Sequence, residues 1–310
     1  MPKINDAIII GSGPAGYTAG LYAGRAMLEP LLFAGYASGG QLMLTSEVEN
    51  YPGYPEGIDG PEMMMELRAQ ASRFGCDIVD KNVDSVDLSS RPFKVTVGKE
   101  EHLAKSLIIA TGAEAIWLNA QNEVAHKGQG ISTCATCDGA FFRDKEVIVV
   151  GGGDSAMEEA TFLTRFCNKV TIVHRREGLR ASQIMVERAN SNPKIEWKLN
   201  RVVKGWIGDA GNFEGAILVN PQDGTEENFS CNGAFIAIGH KPITDFLNGQ
   251  VETDTQRYII WKENSMTSVP GVFAAGDVVD TRYRQAITAA GMGCMAAIDA
   301  ERWLEDNESD

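Results

Sequence analysis

Cys134 and Cys137, separated by two residues, are the pair of side chains with the clearest chemical potential in this 310-residue sequence. A C-x-x-C pair can form a reversible disulfide, or it can supply two of the four ligands of a zinc site. No second C-x-x-C, C-x-x-H or H-x-x-x-H occurs in the sequence to complete four ligands, so we expect no metal. The spacing therefore predicts a redox-active dithiol, and the four other cysteines are interpreted as small core residues.

Two glycine-rich turns, at residues 11–16 and 151–156, are the second chemical feature. Each turn follows a short apolar run that reads as a strand and precedes a helical pattern. In such a turn the glycines let the backbone approach a pyrophosphate, and the helix N-terminus faces the phosphates with its positive dipole end. Both turns are predicted to bind dinucleotides; the alternative is a glycine turn that serves packing alone.

The residues after the second strand of each unit distinguish the two nucleotides. In the second unit, Arg175 is flanked by His174 and Arg176 and followed by Arg180, where an acidic residue would accept the ribose hydroxyl of NAD. A guanidinium cluster matches the 2′-phosphate of NADP instead, through charge-assisted hydrogen bonds. We therefore expect the second turn to bind NADPH; the alternative is a solvated basic helix start.

The first unit has Ala34 and Gly35 at the equivalent positions, so the usual acidic residue is missing. Its nucleotide must then be held mainly by backbone and by residues from elsewhere in the chain. Asp277, which ends an apolar run, can reach a polyol or ribityl hydroxyl, and residues 284–286 open the next helix beside it. The alternative is that Asp277 caps a turn or a helix.

The order of these elements predicts an α/β fold with two Rossmann-like dinucleotide-binding domains. The second nucleotide-binding domain, residues 117–239, is expected to be inserted into the first, which comprises residues 1–116 and 240–310. An insertion of this kind needs two chain crossings close together in space, and such crossings form a natural hinge.

Composition argues against several kinds of partner. The chain carries 28 basic and 42 acidic side chains, for a net charge of -14. This excess of acidic residues does not fit binding to nucleic acid or to an anionic membrane, since both need clustered Lys and Arg. We also expect no secretory leader, and no run approaches the roughly 20 apolar residues of a membrane span. The expected location is a reducing, cytoplasmic compartment.

These motifs together resemble the low-molecular-weight thioredoxin reductases. The resemblance covers nearly the whole chain and is carried by residues 11–16, 39–42, 49–53, 110–112, 134–138, 151–156, 174–176, 271–277 and 284–286. It implies a homodimeric flavoprotein in which an NADPH domain is inserted into an FAD domain, and which uses NADPH to reduce the disulfide of thioredoxin. It assigns FAD to Ser12, Gly13, Pro14, Ala15, Gln41, Asn50, Val83, Asp277, Arg284, Gln285 and Ala286. It assigns NADPH to Gly153, Asp154, Ser155, His174, Arg175, Arg176 and Arg180.

The resemblance also implies roles within the dithiol: Cys137 faces the flavin, and Cys134 is the nucleophile that forms a mixed disulfide with thioredoxin. Asp138, adjacent to the pair, is expected to donate a proton to the departing thiolate. The alternative is that Asp138 caps the turn at residues 139–140. Because one dithiol cannot serve the flavin and a protein substrate at once, rotation of the inserted domain is expected between half-reactions.

The sequence departs from the family pattern at residues 116–123, the first chain crossing, and at Gln129, where several relatives carry an arginine. The first change is expected to affect the hinge between the domains, and the second the binding of the partner thioredoxin. Two other functions remain open: a ferredoxin- or flavodoxin-NADP reductase, which would lack the cysteine pair, and a non-enzymatic redox sensor.

Overall fold

A computed structural model describes residues 3–45 and 47–307 and divides the chain into two compact units. The first unit extends through Glu114 and resumes at Lys241, and the second is Ala115–His240. Within the first unit the N–H of Ile243 donates to the carbonyl of Gly112 over 3.0 Å, and within the second the N–H of Ile116 donates to the carbonyl of Gly239 over 3.0 Å. In each unit, therefore, the segment at one chain crossing is hydrogen-bonded to the segment at the other crossing.

The described residues form seventeen strands and seven α-helices. The strands are β1 (Ile4–Ile10), β2 (Leu31–Phe33), β3 (Asp77–Val79), β4 (Ser85–Asp87), β5 (Phe93–Val97), β6 (Glu100–Ile109), β7 (Ala113–Ala115), β8 (Ile131–Ser132), β9 (Glu146–Val150), β10 (Lys169–His174), β11 (Ile195–Leu199), β12 (Val202–Asp209), β13 (Asn212–Val219), β14 (Glu226–Ser230), β15 (Gly233–Ile236), β16 (His240–Pro242) and β17 (Val272–Ala274). The helices are α1 (Pro14–Arg25), α2 (Gly60–Arg73), α3 (Glu123–His126), α4 (Ala135–Asp138), α5 (Asp154–Leu163), α6 (Gln183–Asn190) and α7 (Ala286–Asn307).

The first unit is built on a seven-stranded sheet in the order β3-β2-β1-β6-β5-β4, with β17 paired to β6. Strands β3, β2, β1, β6 and β17 run parallel to one another, whereas β5 is antiparallel to both of its neighbours, β6 and β4. Ile8 belongs to the core on one face of the sheet and Ile9 to the core on the other. Because both faces are covered, the carboxyl half of β1, residues 7–10, is continuously apolar, as parallel strands in α/β proteins usually are.

The second unit repeats this plan with a parallel five-stranded sheet, β11-β10-β9-β15-β8, to which an antiparallel sheet, β12-β13-β14, is added. Ile148, Val149, Ile172 and Phe235 are fully buried within it. In both units the glycine turn leaves the carboxyl end of a central parallel strand, β1 or β9, and enters a helix, α1 or α5. This is the edge at which α/β sheets bind their ligands.

Among the described residues, the helices are all too short or too polar to cross a membrane.

Candidate active site

Cys134 and Cys137 form a disulfide, with their Cα atoms 5.3 Å apart. Cys134 is the extended residue that precedes helix α4, a single turn. Its carbonyl accepts hydrogen bonds from the N–H groups of Cys137, at 3.2 Å, and Asp138, at 3.1 Å. The helical turn therefore brings the two sulfur atoms together and places Asp138 immediately after them.

Ser132, which motif reasoning did not identify, supports this turn from the preceding strand. Its hydroxyl is buried and accepts a 3.0 Å hydrogen bond from the N–H of Cys134. The same hydroxyl hydrogen-bonds the side chain of Asp138. A small hydroxyl residue two positions before the first cysteine was the available signal, since serine often bonds the main chain two residues further on.

The carboxyl group of Asp138 is partly buried. Burial raises its pKa above the ordinary aspartate value, and the hydrogen bond from Ser132 offsets part of this rise. In the part of the chain that the structure describes, the side chain makes no capping bond to the turn at Gly139–Phe142. The missing capping bond argues against the alternative of a turn cap, and the raised pKa keeps Asp138 protonated to higher pH than an exposed aspartate.

The remaining cysteines differ chemically from this pair. Burial raises the thiol pKa of Cys76 and of Cys231 to about 12, and that of Cys167 to about 11. Because the thiolate is the reactive form, these three thiols are inert near neutral pH, in agreement with their interpretation as core residues. The same interpretation is wrong for Cys294, which is only partly buried. The described residues also contain no cluster of three or more His, Cys, Asp or Glu side chains that could hold a metal ion.

The first glycine turn leaves space at the start of helix α1. Gly11 has a left-handed φ of 113°, and a Cβ atom there would lie 2.2 Å from the carbonyl oxygen of Ala110. Gly13 has no atom within 4 Å of the corresponding position, so its backbone faces open space. The Ser12 hydroxyl donates to the carbonyl of Ala34 over 2.7 Å and accepts from the N–H of Gly39 over 2.9 Å. The turn is therefore open at Gly13 and held in place by the hydrogen bonds of Ser12.

Other residues assigned to the first nucleotide lie on separate segments of the same unit. The Asn50 amide donates to the side-chain oxygen of Gln285 over 3.2 Å, which joins two of them across 235 positions of sequence. The Gln41 amide donates to the carbonyl of Ala113. Val83 packs against the hydrophobic core, so its side chain is not a polar contact of the site.

Asp277 and Arg284 follow strand β17. Burial raises the pKa of Asp277 to about 6, and the nearby charge of Asp280 adds to the rise while that of Arg284 opposes it. The guanidinium of Arg284 donates to the Tyr258 hydroxyl over 3.1 Å, whereas its Nε is buried with no hydrogen-bond partner among the described residues. A partly buried carboxyl group and an unsatisfied guanidinium nitrogen are groups that a polar ligand at this edge would satisfy.

The second glycine turn, in the other unit, is equally close-packed on one side and open on the other. A Cβ atom on Gly152 would fall 2.3 Å from the His174 ring, whereas Gly153 has nothing within 4 Å. The N–H of Arg180 donates to the carbonyl of Gly152 over 2.7 Å. The loop after β10 therefore folds back and contacts the glycine turn at Arg180.

The three arginines at 175, 176 and 180 are exposed. His174 is buried, and its pKa is lowered first by that burial and also by the three neighbouring guanidinium groups. It is therefore neutral near pH 7, so that the positive charge of this site comes from arginine.

Asp154 and Ser155 open helix α5 after this turn. The carboxylate of Asp154 accepts hydrogen bonds from the N–H and the hydroxyl of Ser182, at 2.7 and 3.0 Å. This pairing ties the start of α5 to the start of α6. Ser155 is exposed at the first turn of α5.

The unusual segment at residues 116–123 is folded around a buried carboxylate. Glu123 is 3% exposed and accepts hydrogen bonds from the N–H groups of Leu118, at 3.2 Å, and Asn119, at 3.1 Å. Gln129, the other departure, is exposed. The crossing therefore has a defined local structure despite its departure from the family pattern.

Two glycine turns at helix starts and a disulfide on a one-turn helix are the parts of an enzyme that exchanges electrons between nucleotides and thiols. The profile of the pyridine nucleotide-disulphide oxidoreductases matches residues 5–293, and the chain belongs to this family. It is therefore an oxidoreductase.

Individual relatives agree with this assignment. The thioredoxin reductase of Mycolicibacterium smegmatis is 53% identical, over 98% of each chain. The bifunctional thioredoxin reductase/thioredoxin of Mycobacterium leprae is 50% identical, over 98% of this chain and 67% of that protein. The solved thioredoxin reductase from Giardia duodenalis superposes with a TM-score of 0.92 at 44% identity, over 96% of this chain and 98% of that one. The expected fold class and the resemblance are thereby confirmed.

Proposed function

We propose that this chain is a thioredoxin-disulfide reductase, which passes electrons from NADPH through FAD and the Cys134–Cys137 disulfide to the disulfide of thioredoxin. The observation that carries the proposal is the disulfide on helix α4, in the same unit as an arginine-flanked glycine turn. Relatives of this name at about half identity over the whole chain support it, and the fused protein, which by its name joins reductase and thioredoxin in one chain, supports thioredoxin as the partner.

FAD is assigned to the domain formed by residues 1–116 and 240–310. The open backbone at Gly13, the start of α1 at Pro14 and Ala15, and the unsatisfied Nε of Arg284 fit a large polar ligand with a pyrophosphate. Ser12, Gln41, Asn50, Val83, Asp277, Gln285 and Ala286 complete the proposed set. When bound, FAD supplies a carrier that accepts a hydride from NADPH and gives electrons to a disulfide.

NADPH is assigned to the domain of residues 117–239. Gly153 leaves room for the pyrophosphate at the start of α5, with Asp154 and Ser155 beside it. His174, Arg175, Arg176 and Arg180 surround the position of the 2′-phosphate in this proposal. Exposed guanidinium groups next to a neutral imidazole suit a phosphate dianion, because each can form charge-assisted hydrogen bonds with it.

The chain's own dithiol then performs the exchange with thioredoxin. The Cys134 thiolate attacks one sulfur of the thioredoxin disulfide; that S–S bond breaks and a mixed disulfide forms. The Cys137 thiolate next attacks the Cys134 sulfur, which regenerates the Cys134–Cys137 disulfide and releases thioredoxin as a dithiol. Asp138, whose raised pKa keeps it protonated to higher pH than an exposed aspartate, donates a proton to the departing thiolate.

Several further parts of the proposal follow from the same assignment. The dithiol and the proposed FAD residues belong to different units of the chain, so rotation of the inserted domain between half-reactions is proposed as the way they alternate. The enzyme is proposed to act as a homodimer in the cytoplasm.

A spectroscopic experiment tests the proposal. The purified protein is expected to be yellow and to contain stoichiometric FAD, NADPH should bleach the flavin, and oxidised thioredoxin should restore the colour. A protein that binds no flavin under any refolding condition would refute it. Bleaching without turnover on any disulfide would favour a redox sensor, and turnover that is independent of the cysteines would favour a ferredoxin- or flavodoxin-type reductase.

A further inference from the structure

Asp280, a buried carboxylate just before helix α7, has no role in the reaction proposed above. It is 6% exposed. One carboxylate oxygen accepts hydrogen bonds from the N–H groups of Arg282 and Tyr283, each at 2.8 Å, and the other accepts from the N–H of Arg284 at 2.9 Å. A single side chain therefore fixes three consecutive backbone donors of this turn.

The third of these donors belongs to a residue in an unfavourable conformation. Arg284 has a φ of 48°, in the left-handed region that side chains with a Cβ atom rarely adopt. Such a residue persists only where its surroundings determine it. Here the determining contacts are the bond from its N–H to Asp280 and the bond from its guanidinium to the Tyr258 hydroxyl.

The turn leads directly into proposed FAD residues. Arg284 and Gln285 precede the first residue of α7, Ala286, and the Gln285 side chain is the partner of Asn50. Gln285 also accepts, through its backbone carbonyl, hydrogen bonds from the N–H of Ala289 and from the hydroxyl of Thr288. The direction of this short segment is thus set at its beginning by the left-handed residue.

We propose that Asp280 is a positioning residue of the FAD site, which holds Arg284 in its left-handed conformation and thereby places residues 284–286 for the cofactor. This inference rests on the proposed function, because it assumes that FAD is the ligand at these residues. It assigns Asp280 no contact with the cofactor; its effect passes through the backbone of the turn.

Asp280→Asn tests the inference with almost no change in volume. An asparagine has only one acceptor oxygen, so either the pair of bonds to Arg282 and Tyr283 or the bond to Arg284 must be lost, and an NH₂ group then faces an N–H donor. We expect the dissociation constant of FAD for the apoprotein, measured by quenching of flavin fluorescence, to rise roughly tenfold to a hundredfold. NADPH binding, which is assigned to the other unit, should stay close to the parent value.

Asp87→Asn is the matched control, because Asp87 also accepts a backbone N–H, that of Ser89 at 3.0 Å, in a turn of the same unit. It should leave FAD affinity unchanged. The parent apoprotein must first bind FAD; if it does not, the proposed function fails. If the parent binds FAD and Asp280→Asn binds it equally well, the positioning role is overturned, even where the variant apoprotein melts at a lower temperature.

A second comparison uses Arg284→Gly, since glycine adopts a left-handed φ without steric cost. In that background Asp280→Asn should weaken FAD binding by a smaller factor than in the parent. An equal factor in both backgrounds would contradict the proposed link through Arg284. If Asp280→Asn alone does not fold, the double variant should regain folding, and its failure to do so would also overturn the inference.

Discussion

The N–H of Cys134 donates a 3.0 Å hydrogen bond to the hydroxyl of Ser132. Because that hydroxyl also bonds the side chain of Asp138, the first cysteine and the proposed acid share one anchor in strand β8. Cys134 and Asp138 are consequently connected through one serine side chain.

Asp138→Asn should isolate the proton from the packing, since the two side chains are nearly isosteric. We expect thiol–disulfide exchange with thioredoxin to slow by roughly a hundredfold or more, while hydride transfer from NADPH stays near normal. Stopped-flow absorbance can follow the two half-reactions separately. The control is Asp144→Asn, an exposed aspartate of the same unit.

The pH profile gives the same test a second form. Because burial raises the pKa of Asp138, the protonated, competent acid should be lost only as pH rises through this raised value. The exchange rate of the parent should fall over that range, and the rate of Asp138→Asn should not. Parent-like rates in Asp138→Asn from pH 6 to 9 would show that the acid is water or another residue.

Arg175→Ala and Arg176→Ala should separate NADPH from NADH. Each removes a proposed charge-assisted contact to the 2′-phosphate, worth on the order of 1.5 to 3 kcal/mol, so the KM for NADPH should rise roughly ten- to a hundredfold. The KM for NADH should hardly change. Arg188→Ala, which removes an exposed arginine from α6, is the control. Equal losses with both nucleotides would mean that the arginines support the fold and do not read the phosphate.

Asp277 should make the stability of the apoprotein depend on pH. Its pKa is about 6 in the folded protein, above the ordinary 3.8, so the folded state binds the proton more tightly. The contribution of protonated Asp277 to the free energy of unfolding is fully present below about pH 3.8 and is lost as the pH rises through about 6. At neutral pH the ionised carboxylate of Asp277 destabilises the folded apoprotein by about 3 kcal/mol, which is the shift in pKa expressed as a free energy.

Asp277→Asn removes that titration. The free energy of unfolding of the variant apoprotein, measured in urea, should exceed that of the parent at neutral pH and should vary less between pH 4 and 6. Asp77→Asn, at an exposed aspartate of the same unit, should retain the parent profile. An unchanged profile in Asp277→Asn would show that other groups carry the pH dependence.

The sequence predicted the elements whose chemistry is local. A glycine turn between an apolar run and a helical pattern, and two cysteines three positions apart, are complete within a few residues, and the structure has both turns at strand ends and the disulfide on α4. The fold class followed from the same repeated order of strand, turn and helix.

The features that the sequence did not predict are of two kinds. Some are contacts between residues far apart in the sequence, and others are hydrogen bonds from backbone N–H groups to side chains. The pairing of Asn50 with Gln285 spans 235 positions, and no local pattern indicates it. Ser132, Asp280 and Glu123 act by accepting backbone N–H groups, and serine, aspartate and glutamate occur in many turns without such a role. Their roles can therefore be inferred only from the three-dimensional structure of the segments that they stabilise.

The central claim is that electrons from NADPH leave the enzyme through the Cys134–Cys137 pair to thioredoxin. The most direct measurement follows NADPH oxidation by the FAD-loaded protein on addition of oxidised thioredoxin, for the parent and for Cys134→Ser. The account predicts rapid, thioredoxin-dependent oxidation by the parent, and for Cys134→Ser a flavin that is still reduced by NADPH with thioredoxin reduction at background. Full thioredoxin reduction by Cys134→Ser, or no stimulation of the parent by thioredoxin, would contradict it.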